Sequence, residues 1–102
     1  MYKTITLNNE QHILLCEALH RIAIGPEDRN ATSLFLGLGF PSQYRSAVKA
    51  GLMEPSFNPE TPRVLNWYCL SSTGRKIVNQ MIRKYGKKNA LKNMPYTVKV
   101  KA

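Results

Sequence analysis

Polar and apolar positions change period several times along this chain, and each change marks an element. Tyr2 to Leu7 alternate and are rich in β-formers, which predicts a short strand. Asn8 and Asn9 are both candidate N-caps for a helix. Leu14, Leu15, Ala18, Leu19 and Ile22 then recur at i, i+1, i+4, i+5 and i+8, the single apolar face of a helix running to about Ile24. Gly25 and Pro26 stop it.

A polar connector, residues 27–30, leads into the apolar run Leu34, Phe35, Leu36 and Leu38. Periodicity alone fits this run to a two-turn helix or a buried strand. Its context favours a second helix, punctuated by Gly37 and Gly39. A third helix is predicted from Pro41 to Ala50, because proline suits the first helical turn and Gly51 supplies a left-handed stop. Tyr44, Ala47 and Val48 share its core side, and Ser42, Arg45, Ser46 and Lys49 share the other.

Leu52 to Glu54 begins a strand, residues 55–62 form a loop with three prolines, and Arg63 to Leu70 is a strand again. Together they read as a hairpin with a long tip. Alternation puts Tyr68 and Leu70 on the core side and Trp67 with Cys69 on the other. Trp67 is then expected under the N-terminal strand or another subunit. Ser71 or Ser72 caps a fourth helix with an apolar stripe of Ile77, Val78, Met81, Ile82 and Tyr85, ended by Gly86. Residues 96–101 read either as a strand or as a disordered basic arm.

The order strand, helix, helix, helix, hairpin, helix predicts an α+β fold. It is the order of a winged helix-turn-helix, with a three-helix core, a two-stranded wing and a C-terminal helix. The expected division is a winged-helix domain over residues 1–88 and an arm or short strand over 89–102. At 102 residues the chain is one domain long, and 43% apolar residues are too many for a disordered chain. No apolar run is long enough to span a bilayer and no secretory signal opens the sequence. Cys16 and Cys69 stand in no recognised spacing, which favours two buried, reduced thiols in a cytoplasmic protein over a single disulfide.

Charge adds a partner to this picture. Residues 1–60 carry five basic and six acidic side chains, whereas residues 61–102 carry ten basic and none acidic. A block of one sign this strong attracts polyanions.

Two segments carry a family resemblance. Ala47-Val48-Lys49-Ala50-Gly51-Leu52-Met53-Glu54 resembles the end of a recognition helix running into the first wing strand. Tyr68-Cys69-Leu70-Ser71-Ser72-Thr73-Gly74-Arg75 resembles the step from the second wing strand into the next helix. Both are similar to MarR-type bacterial winged-helix regulators, over residues 31–85. The resemblance implies a DNA-binding protein, a small transcriptional regulator of bacterial, phage or plasmid origin.

On that reading the third helix enters the major groove. Ser42, Gln43, Arg45, Ser46 and Lys49 are residue types that reach phosphates and base edges. Arg63 at the wing base and Arg75 and Lys76 after it are candidate phosphate contacts. Arg83, Lys84, Lys87 and Lys88 form a further basic cluster, which Lys92, Lys99 and Lys101 extend. Double-stranded DNA is the expected partner, with a homodimer possible and no membrane. The alternatives are a protein-interaction module, favoured by the non-basic wing tip, and an RNA-binding protein.

His12, Cys16 and His20 recur every four residues, but at 1.5 Å per residue the outer pair is about 12 Å apart, too far to share one ion. No metal or other cofactor is expected. No phosphate-binding glycine loop, paired carboxylate cluster or nucleophile elbow is present, so no enzyme activity is expected.

Overall fold

A computed structural model describes residues 1–24, 37–39, 41–56 and 66–101. Strand β1 (Tyr2–Thr6) leads into helix α1 (Asn9–Ile24). The junction is a reciprocal cap. The Gln11 N–H donates to Asn8 Oδ1 at 2.8 Å, and the Asn8 N–H donates to Gln11 Oε1 at 2.9 Å. Two backbone donors left unpaired by the start of the helix are thereby satisfied. Leu15, Ala18, Leu19 and Ile22 are buried as the apolar periodicity requires.

Strand β2 (Gly37–Gly39) comes next, then helix α2 (Pro41–Lys49). Of the two readings for the apolar run, helix or strand, its described end forms the strand. Its residues 31–36 lie outside the described residues, and residues 37–39 form a strand paired antiparallel to strand β4 (Asn66–Leu70). Two glycines flanking one leucine have low helix propensity, and the neighbouring strand supplies the ladder bonds that decide the matter.

Gly51 ends α2 with φ +76°, the left-handed stop that the sequence requires. Strand β3 (Met53–Ser56) then pairs antiparallel to β4, with Met53 opposite Leu70 and Ser56 opposite Trp67. The small sheet has the order β2-β4-β3, so β4 is its central strand. Ser71 caps helix α3 (Ser72–Tyr85), its Oγ accepting from the Gly74 N–H at 3.1 Å. Ile77, Val78 and Met81 of α3 are buried, Ile82 and Tyr85 half-buried.

Beyond Gly86, at φ +82°, come a short helix α4 (Lys87–Ala90), a 3-10 turn over Leu91–Asn93 and strand β5 (Thr97–Lys101). Of the two readings for the C-terminus, the strand is what the chain forms. It pairs antiparallel to β1, with Tyr2 opposite Lys101 and Thr6 opposite Thr97, and the Leu7 N–H donates to the Tyr96 carbonyl at 2.7 Å. Val98 and Val100 face inward while Thr97, Lys99 and Lys101 face out. Ala90, Met94, Val98 and Val100 join the same core as Leu15, Leu19, Leu52, Leu70 and Ile77. No described helix is long and apolar enough to cross a membrane.

Candidate nucleic-acid interface

Helix α2 is amphipathic in the sense the sequence predicts. Ala47 is buried, and Tyr44 and Val48 are half-buried. Tyr44 stacks on Tyr68 of β4, with ring centroids 4.4 Å apart and planes 22° from parallel. This contact and the Leu52 N–H bond to the Ala47 carbonyl at 2.9 Å hold α2 beside the sheet.

Ser42, Arg45 and Lys49 are exposed on the opposite side. Arg45 and Lys49 rim a shallow hollow between α2 and the hairpin, floored by Val48, Pro55 and Tyr68. The combination of a cationic rim and an apolar floor exists only because β3 lies against α2. Sequence reasoning missed Pro55 and Tyr68 as part of this surface, since the only signal is the contact between helix and hairpin.

Ser46 has a different position from its predicted companions. Its Oγ accepts from Asn8 Nδ2 at 2.8 Å and from Gln11 Nε2 at 3.1 Å, and its carbonyl accepts from Gln11 Nε2 at 3.3 Å. The hydroxyl thus ties α2 to the capped start of α1. Gln43 lies within α2, and Arg63 falls outside the described residues. Arg75 and Lys76 occupy the first turns of α3, Arg75 half-buried and Lys76 exposed.

Cys69 is buried, as expected of it, although alternation puts it on the side of β4 opposite Tyr68 and Leu70. Burial, reinforced by the Glu54 carboxylate and opposed by Arg75, pushes the Cys69 thiol above its ordinary value. Burial likewise raises Cys16. Tyr44 is raised first by burial, then by Glu17, against the opposing effect of Arg21. Both thiols are free of a disulfide, and neither is activated as a nucleophile. Trp67 is half-buried. The N-terminal strand pairs with β5 rather than with the hairpin.

The histidine and cysteine row on α1 has a structural use. His12 Nε2 lies 2.8 Å from the Met94 carbonyl, and its ring stacks on Tyr96 at 4.0 Å. With Nε2 donating, Nδ1 accepts the Cys16 thiol at 3.6 Å. The imidazole thereby pins the approach to β5 onto α1. Among the described residues, no three His, Cys, Asp or Glu side chains converge to hold a metal ion.

The two segments that carry the family resemblance touch each other. The Ser71 N–H donates to the Leu52 carbonyl at 3.0 Å, Ser71 Oγ bonds the Gly51 carbonyl, and Gly74 packs directly on the Leu52 carbonyl. In comparisons with family models, curated proteins and solved structures, the chain gives no significant match.

Proposed function

We propose that the protein binds double-stranded DNA through α2 and acts as a small transcriptional regulator with a winged-helix architecture. The observation that carries this reading is the exposed pair Arg45 and Lys49, one turn apart on the outer side of a helix whose other side is locked into the core. A helix presents these long cationic side chains on backbone that is already ordered, within reach of phosphates and base edges, and Arg is the usual partner of guanine. The apolar floor beside them suits a thymine methyl group.

Three features support the architecture. Helix α2 runs through a glycine stop straight into β3, the hairpin packs beside it, and the Leu52 carbonyl joins the start of the hairpin to the start of α3. The acid-free second half supplies the sequence-independent attraction to phosphate, with Arg75 and Lys76 as flanking contacts. Ser46 braces the helix rather than reading DNA. On this reading no catalytic group or cofactor takes part.

The test is duplex binding by gel shift at low salt. Arg45→Ala/Lys49→Ala is expected to weaken it at least tenfold, whereas Lys88→Ala/Lys92→Ala, which removes the same charge elsewhere, weakens it two- to threefold. Equal losses from both pairs would reduce the interaction to net charge and remove α2 from the account. A protein partner that survives nuclease and high salt, with no duplex binding by the pure protein, would favour the interaction-module reading instead.

A further inference from the structure

A second cationic feature lies away from α2. Lys76, Asn79, Gln80 and Arg83 fall at i, i+3, i+4 and i+7, a single stripe along α3. Tyr2 and Lys101, register partners at the end of the β1–β5 ribbon, form the facing wall. Between the two walls is an open cleft of about 470 Å³. Lys76, Arg83 and Lys101 are exposed, Asn79 and Gln80 are half-buried, and Tyr2 is 71% exposed. No carboxylate side chain occurs in β1, α3 or β5. Among the described residues, none of these six side chains is engaged in a hydrogen bond or ion pair.

Three cations, two amides and an open aromatic ring converging on one concavity have a specific chemical complement. The cations attract phosphate, the amides can pair with a base or sugar edge, and the ring offers a stacking face. We propose that this cleft holds a single strand of nucleic acid, its phosphates on Lys76, Arg83 and Lys101 and one base stacked on Tyr2. A duplex does not fit this description. The cleft has the size of a small-molecule site, about 300–1,000 Å³, enough for about one nucleotide, and a base within a duplex keeps its faces stacked on its neighbours. On the same outer face of the ribbon, Lys99 and Thr4 are the next exposed pair after Lys101 and Tyr2. Lys99 stands about 7 Å along the strand from Lys101, and so continues the row of positive charge.

The site shares Lys76 with the flanking contacts proposed for the duplex but is otherwise separate from α2, and one titration series with variants at Tyr2, Arg83 and Lys101 separates the two. The probes are a short oligo-dT strand, free dTMP and a duplex, each followed with the full chain by fluorescence anisotropy or competition at low salt. The strand is expected to bind the wild type, and Arg83→Ala/Lys101→Ala should weaken it at least tenfold while changing duplex affinity less than threefold. Tyr2→Leu should weaken strand binding about tenfold and Tyr2→Phe should restore it, since stacking needs the ring and not the hydroxyl. In NMR spectra of the wild type, the strand should shift the Asn79 and Gln80 side-chain amides. The proposal is overturned if the strand does not bind, if its shifts centre on α2, or if dTMP binds as tightly as the strand, which would make the cleft a nucleotide pocket. Loss of duplex binding alone removes the α2 reading and leaves this one standing.

Discussion

Gly74 sits in the first turn of α3, where a methyl group would overlap the Leu52 carbonyl oxygen. That oxygen is backbone, already accepting from the Ser71 N–H, and has little room to give. Gly74→Ala is therefore expected to lower stability by about 2 kcal/mol, within the usual cost of overpacking, as measured by denaturant unfolding. A wild-type midpoint for Gly74→Ala would mean that α3 and the hairpin are not in this contact. The buried acids give a second prediction at the same scale. Cys69, Cys16 and Tyr44 all have raised values in the folded state, so the native chain holds these protons more tightly than the unfolded chain does. Their stabilisation is full below the unfolded thiol value, near pH 9.0, and is lost as pH rises through the folded values. Stability should fall above about pH 9, and Cys69→Ala should flatten that fall relative to its own neutral-pH stability. An unchanged alkaline slope in Cys69→Ala would show that this thiol has no part in it. Gly51, Gly86 and Ser71 are legible in the sequence because turn and cap chemistry is local. The steric reason for Gly74 is not, because Leu52 approaches it from 22 residues away in sequence.

Among the elements, those with strong periodicity form as the pattern predicts: α1, α2, β4 and α3 have the expected apolar sides inward. The Gly37–Gly39 segment stays open between helix and strand in the sequence because three residues are too few to show a period, and their state is set by β4. The C-terminal strand stays open in the sequence for a related reason. Val98 and Val100 alternate correctly, but only the partner β1, at the other end of the chain, decides between strand and arm. The attachment of α2 to α1 gives a prediction at this scale. Ser46→Ala removes an acceptor shared by Asn8 and Gln11. The expected loss is about 1 kcal/mol, seen as a lower midpoint in thermal unfolding, with duplex affinity within threefold of wild type. A tenfold loss of duplex binding with unchanged stability would instead make Ser46 a direct contact.

Over the whole molecule, the exposed cations of α2 come from the half of the chain with no basic excess and those of the cleft from the acid-free half. The exposed cations Arg45 and Lys49 project from α2, while Lys76, Arg83 and Lys101 surround a cleft on the other side of the hairpin in sequence. Composition predicts a polyanion partner, but only the tertiary arrangement separates a helix face from a cleft. Salt dependence tests the central claim most directly, because each phosphate neutralised contributes about −0.9 to the slope of log Kobs against log salt concentration for duplex DNA. The wild type is expected to show a steep negative slope, and Arg45→Ala/Lys49→Ala a slope shallower by about 2. Duplex binding that is absent at low salt, or a slope that the double substitution leaves unchanged, would contradict the account.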